Sequence, residues 1–247
     1  MRFAVISDIH ANREALEAVL ADIQRWQPDA VYCLGDVIGY GPEPGAVIEL
    51  LLKNAITSVR GNHELAVMTP RFLKWFNPIA RVSIEKTTGL LRPGEVAAIS
   101  RFPPVMSAHR CRFVHGFPPR SSLVYQFQVA DPKKCRIMSR LQEPICFVGH
   151  THTLELISIE GNRAVHQELT EDDYQLDRQQ KHIINIGSVG QPRDGNLQAK
   201  YVLFTPRDYR LKVCFVDYDA QATVDRMRQD GWPEQHALRL LPRPACS

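Results

Sequence analysis

The chain is poor in the features that mark several common protein classes. No apolar run approaches membrane-spanning length, so a transmembrane helix is not expected. Its six cysteines, at 33, 111, 135, 146, 214 and 246, have no CxxC spacing and no secretory context, which argues against a disulfide framework. Cys33, Cys111, Cys146 and Cys214 lie in or beside apolar strand-like runs and are expected to pack as small hydrophobes. A large charge of one sign is missing too: 30 Lys and Arg against 27 Asp and Glu leave +3. That is too mild for a nucleic-acid groove, yet it would not repel an anionic substrate. No G-x-G-x-x-G or G-x-x-x-x-G-K-[ST] pattern occurs, so Gly190 and Gly195 read as turn residues. No Gly/Ser linker, charge block or repeat divides the 247 residues. One domain over 1–247 is expected, its end from about 242 to 247 frayed. The opening Met1-Arg2-Phe3-Ala4-Val5-Ile6 leads straight to a polar cluster, without the n-region, h-region and cleavage site of a leader, and a cytoplasmic address is the expectation.

What the chain does have is 44% hydrophobic residues, enough for a substantial core, and five short polar clusters. These are Asp8-Ile9-His10, Gly35-Asp36, Gly61-Asn62-His63-Glu64, His115-Gly116 and Gly149-His150-Thr151-His152. Each follows an apolar run that reads as a strand: Phe3 to Ser7, Ala30 to Leu34, Ile56 to Arg60, Cys111 to Val114 and Ile145 to Val148. In open α/β sheets ligands gather beyond the carboxyl ends of such strands, so the clusters are expected to converge.

Between them, Asn12 caps a predicted helix to about Trp26, and a second helix is predicted from about Pro44 to Lys53. The strand, loop and helix repeat predicts parallel pairing with right-handed crossovers. Residues 64 to 101 read as helices broken at Pro70 and restarted at Asn77-Pro78 and Pro93, forming a wall beside the site. From Val105 onward strands dominate, with one helix at about Pro132 to Leu141 and a last one capped by Asp219. A parallel half followed by a more antiparallel half suggests two packed sheets flanked by helices.

Asp8 and His10 are two apart, as are His150 and His152, so in extended backbone each pair points to one side. With Asp36, Asn62 and His115 they make a nitrogen and oxygen donor set suited to Mn, Fe, Zn, Co or Ni and poor for Ca or Mg. Two divalent ions balanced by Asp8, Asp36 and one bridging hydroxide leave about one positive unit, which attracts phosphate and keeps hydroxide available near neutral pH. The reaction expected is in-line attack of that hydroxide on phosphorus.

Taken together, the clusters resemble the calcineurin-like metallophosphoesterases, whose pattern D-x-H, G-D, G-N-H-[DE], H and G-H-x-H stands here complete and in order. The stretches Gly35 to Pro42 and Asn185 to Asp194 further resemble the small bacterial and archaeal branch of that family, and the likeness covers roughly residues 1 to 217. The resemblance implies a four-layer α-β-β-α sandwich. It implies one metal on Asp8, His10, Asp36 and His152 and another on Asp36, Asn62, His115 and His150, with Asp36 bridging and manganese the favoured ion. It makes His63 the non-ligand histidine near the leaving oxygen, donating a proton or stabilising charge, with Glu64 orienting it.

Arg193 is a candidate for a nonbridging phosphate oxygen, Tyr40 and Phe117 for a base or aryl pocket, and Arg60 for the fold. His109, His166, His182 and His236 read as solvated or satisfied bystanders. The expected function is a phosphodiesterase acting on a small phosphoester or nucleotide, its specificity set by cleft walls at 64 to 101 and 117 to 130. The alternatives are a phosphomonoesterase or protein phosphatase, and a non-catalytic scaffold, since the fold also resembles that of the retromer subunit that serves in protein assembly.

Overall fold

The computed structural model describes residues 1–242; the end expected to fray, from about 242 to 247, lies almost wholly outside the described residues. The first two repeats form as expected: β1 (Phe3–Ile6), α1 (Arg13–Trp26), β2 (Ala30–Cys33) and α2 (Pro44–Lys53). Asn12 caps α1 by accepting from the Ala15 amide at 3.1 Å, and the helix buries Leu16, Val19, Leu20 and Ile23 on one face. β3 is shorter than its apolar run, only Thr57–Ser58, because the Arg60 amide turns away to the Pro103 carbonyl. The expected wall follows as α3 (Asn62–Met68), a 3-10 turn (Pro70–Trp75), α4 (Pro78–Leu90) and α5 (Pro93–Ser100). Prolines open the last three of these, where a missing amide hydrogen is harmless.

The later chain supplies β4 (Met106–Ala108), β5 (Cys111–Phe113), α6 (Asp131–Arg140), β6 (Ile145–Val148), β7 (Leu154–Glu160) and β8 (Arg163–Glu168). It continues with β9 (Asp173–Gln175), β10 (Lys181–Ile186), β11 (Ala199–Thr205) and β12 (Arg210–Val216). It closes with α7 (Ala220–Gln229), α8 (Glu234–Ala237) and a 3-10 turn (Leu238–Leu240).

One six-stranded sheet has the order β3-β2-β1-β11-β12-β9 and the other β4-β5-β6-β10-β7-β8. The halves of the chain do not build one sheet each. β11 lies antiparallel against β1, and β10 enters the second sheet parallel to β6 and antiparallel to β7. Both sheets are therefore mixed, and the polar clusters follow their parallel strands.

Strand alternation sorts the side chains into layers. On β1, Ala4 and Ile6 face α1 and α2, whereas Phe3 and Val5 face the second sheet. On β6, Ile145 and Phe147 point between the sheets, and Cys146 and Val148 pack toward α6 with Cys135 and Met138. Phe3 meets Phe113, Phe147 and Phe204 at centroid distances of 5.7 to 6.0 Å, an aromatic seam through the middle. The result is the four-layer α-β-β-α sandwich. Cys33, Cys111, Cys135, Cys146 and Cys214 are free and buried, as apolar filling. No helix among the described residues is long and apolar enough to cross a membrane.

Candidate metal centre

The strands end just short of the polar clusters, and the chain then turns sharply. Asp8, His10, Asp36, His150 and His152 all have left-handed backbones, with φ of 53°, 51°, 49°, 68° and 62°. The extended geometry expected for Asp8-x-His10 and His150-x-His152 is thus wrong. The side chains converge because the backbone coils under them, at about 1–3 kcal/mol of strain for each such residue. Strain of this size persists only where surrounding contacts fix the loop.

Those contacts are visible. Glu64, fully buried, accepts from the amides of Asp36, Val37, Ile38 and Gly61 at 2.8 to 3.2 Å. It ties the Gly35-Asp36 loop to the start of α3 and does not bond His63, so its expected role as the histidine's orienter is corrected. Burial and the neighbouring Asp36 push its carboxyl up to about 7, while the amide donors favour the ionised form. Gly61 and Gly149 are required by close approach: a Cβ would lie 2.0 Å from Asp36 Oδ1 at the first and 2.5 Å from Asp8 Oδ2 at the second. Asn185 donates to the Gly149 carbonyl and to Thr151 Oγ1, bracing the His150 loop from β10.

Backbone carbonyls also set the tautomers. Nδ1 of His10, His115 and His152 faces the carbonyls of Ile38, Leu34 and Gln191 at 3.3, 3.0 and 2.6 Å. With Nδ1 donating, each Nε2 keeps its lone pair and aims it inward. Nε2 of His10 and His152 stand 3.1 Å apart, and His115 Nε2 lies 3.1 Å from His150 Nδ1 and 2.9 Å from Asn62 Oδ1. Asp8 Oδ1 is 3.2 Å from His152 Nε2, and Asp36 Oδ2 is 3.2 Å from His115 Nε2 and 3.8 Å from His10 Nε2.

Three donor groups result, Asp8–His10–His152, His10–Asp36–His63 and Asp36–His115–His150, each with its ligand atoms within 4.8 Å of one another. Asp8 Oδ1 and His63 Nδ1 are buried without a hydrogen-bond partner. Inward lone pairs, a bare carboxylate oxygen and the absence of thiolate fit divalent metal ions. Charge agrees. Burial opposes ionisation of Asp36, yet His115 and His63 hold it well below the usual carboxylate range, and Asp8 is lowered likewise by His152. Against burial, Asp36 pushes His115 up to about 9, a measure of how strongly the carboxylates call for positive charge. All seven candidate donors and His63 are thus brought together, from the ends of both sheets. Distance alone does not separate His63 from the donors. Position does not either, since Asn62 also opens α3 and Asn62, His150 and His152 also line the cavity, so the non-ligand role of His63 rests on the family resemblance.

That cavity, about 330 Å³, is lined by Tyr40, Trp75, Phe76, Leu123, Tyr125 and Arg193 above the Asp36, Asn62, His150 and His152 floor. Tyr40 and Arg193 are where the sequence suggested. Phe117 is not, being 2% exposed and part of the core toward α6. The aromatic wall comes instead from the 64–101 and 117–130 segments. Tyr125 stacks on His150 at 3.8 Å, and Phe76 meets the edge of His63 at 5.1 Å. No spacing signal singled out Trp75, Phe76 or Tyr125, because they stand on irregular turns. His236, expected to be a bystander, is buried and packs on Tyr40 at 4.4 Å.

The chain matches the family model for calcineurin-like phosphoesterases over residues 1–154. It is 33% identical over 242 residues to an uncharacterised protein of Methanocaldococcus jannaschii, covering 96% of each chain. Among solved structures it is similar to a metallophosphoesterase from Sphaerobacter thermophilus, 34% identical with a TM-score of 0.83, covering 97% of this chain and 98% of that one. A hypothetical protein from Pyrococcus horikoshii OT3 shares the fold at 18% identity, with a TM-score of 0.79 and 99% of each chain covered.

Proposed function

The chain belongs to the calcineurin-like phosphoesterases, metal-dependent hydrolases of phosphoric esters, and from that premise we propose that it is a dinuclear phosphodiesterase acting on small phosphoesters or nucleotides. The observation that carries the reading is the inward convergence of Nε2 of His10, His115 and His152 on Asp8 and Asp36 beneath a cavity of about 330 Å³.

In this reading Asp8, His10, Asp36 and His152 hold one divalent ion and Asp36, Asn62, His115 and His150 the other. Manganese is the ion we favour, with Fe, Zn, Co or Ni as alternatives that the same imidazole and oxygen donors suit. Ions held there supply Lewis-acid charge and make water acidic enough to act as a nucleophile near neutral pH. Arg193, over the Tyr40 ring at 5.9 Å, reaches a nonbridging phosphate oxygen from the rim. His63 serves the leaving oxygen. Burial pushes it down to about 4 while Asp36 pulls the other way, and the negative charge of a bound phosphate favours its imidazolium. Trp75, Phe76 and Tyr125 offer flat apolar faces for a base or aryl group, which supports a diester with a bulky substituent over a phosphoprotein needing a broad groove.

Residues 1–247 act in this reading as one catalytic domain, since β11 and β10 carry the late chain into the sheets that bear the early clusters. Five buried free thiols suit a cytoplasmic setting.

Metal analysis and hydrolysis assays test the reading together. Purified protein supplied with manganese is expected to retain two ions per chain and to hydrolyse bis(p-nitrophenyl) phosphate faster than p-nitrophenyl phosphate. Asp36→Asn is expected to lose both ions and turnover. A wild-type protein that binds no metal and is inert in manganese overturns the proposal.

A further inference from the structure

Two guanidinium groups share one acceptor, and one of them, Arg193, lines the cavity. Arg193 Nη2 donates to Gln191 Oε1 at 3.1 Å, and Arg239 Nη1, from the closing 3-10 turn, donates to the same oxygen at 3.2 Å. The two nitrogens therefore lie no more than about 6 Å apart, and the like charges repel. Neither arginine forms an ion pair with a carboxylate among the described residues. Several other arginines do have a carboxylate partner. Arg112 pairs with Glu143, Arg226 with Glu43 and Arg228 with Glu234.

The shared acceptor is rigid. Gln191 is 2% exposed, its backbone amide donates to Ser188 Oγ at 2.8 Å, and its backbone carbonyl holds His152 Nδ1 at 2.6 Å. One residue thus fixes a candidate metal donor and the arginine pair in the same frame. Burial and the charge of Arg193 both lower the affinity of Arg239 for its proton. With only a neutral amide oxygen between them, none of the ten guanidinium N–H donors has a charged partner among the described residues, and guanidinium forks match phosphate oxygens well.

We infer that Arg193 and Arg239 form a second anion subsite, which takes a phosphoryl group adjacent to the one over the metal centre. The inference rests on the reading of the centre as a phosphoesterase site and narrows its substrates to those bearing two linked phosphoryl groups, nucleoside diphosphate derivatives among them. Arg193 stands between the two positions, since it also lines the cavity. Arg239 is the selective group.

Calorimetric titration of the manganese-loaded protein with thymidine 5′-diphosphate and thymidine 5′-monophosphate tests this without requiring turnover, so failure of the hydrolytic reading leaves the measurement intact. Wild type is expected to favour the diphosphate by about tenfold or more, the scale of one charge-assisted hydrogen bond. In Arg239→Gln the ratio is expected to fall toward one, and Arg239→Lys, which keeps the charge but loses the fork, is expected to fall between. A wild type without preference overturns the inference, as does a ratio unchanged in Arg239→Gln.

Discussion

At the residue scale, the site rests on a division of labour within each imidazole. Nδ1 of His10, His115 and His152 is fixed by a main-chain carbonyl, which leaves Nε2 as the inward donor. His63, not a ligand in the proposed reading, has an Nδ1 without a partner and an Nε2 3.8 Å from Asp36 Oδ2, with its ring packed against Tyr40 and Phe76. His63→Ala is therefore expected to keep its metal content. Its kcat on alkyl phosphodiesters, whose leaving oxygens need a proton, is expected to drop about 100-fold or more, and much less on bis(p-nitrophenyl) phosphate. Equal losses on the two substrates would count against proton donation. These residues were legible as candidates because metal binding calls for particular donor atoms. Their left-handed backbones were not, since those turns are held by segments far apart in the chain: the Asp8 amide donates to the Gly35 carbonyl, the His150 amide to Asp8 Oδ2, and Glu64 takes the amides of the Asp36 loop.

At the element scale, helix limits followed from local chemistry. Asn12, Asn77 and Asp219 cap α1, α4 and α7 through their own side chains. Contacts between elements are less legible. His166 on β8, expected to be solvated or satisfied, is satisfied by partners no spacing revealed, Glu155 of β7 at 2.6 Å and Asp131 of α6 at 3.1 Å. The Glu155 hydrogen bond, with Asp131 behind it and mild burial opposing, raises its pKa above 6.5. A raised folded-state pKa stabilises the protein fully below the unfolded value of 6.5, and the gain disappears as pH climbs through the raised value. His166→Gln is expected to unfold at lower urea concentration than wild type at about pH 5.5, with the two curves drawing together by about pH 9. A gap that widens with pH would contradict this ion cluster. The pair is partly exposed, so the effect is modest and shrinks with salt.

At the scale of the whole molecule, the centre is a cross-brace. Asp8, His10 and Asp36 follow strands of one sheet, and His115, His150 and His152 follow strands of the other. An ion bound between them ties the two sheets at one end, while the Phe3, Phe113, Phe147 and Phe204 seam ties them in the middle. Ions that bind only the folded chain at a concentration 100 times Kd add about 2.7 kcal/mol. For a chain of this size that is about 5–10 °C in Tm, so chelator-treated protein is expected to melt that much lower and to recover on adding manganese. Asp36→Asn is expected to show no such recovery. A Tm indifferent to chelator and metal would show that the centre does not brace the sheets.

The sequence by itself determined the chemistry: which atoms can bind a metal, which strands carry them, and that the strands share a parallel end. Short-range rules suffice for these, because caps, strand alternation and donor types act within a few residues. Only the tertiary structure decided that β11 and β10 interleave with the early strands, that Trp75, Phe76 and Tyr125 wall the cavity in place of Phe117, and that Arg239 meets Arg193 on Gln191. Those outcomes depend on packing between segments far apart in the chain, where the free energy of contact is shared among many side chains and leaves no periodic mark on any one stretch.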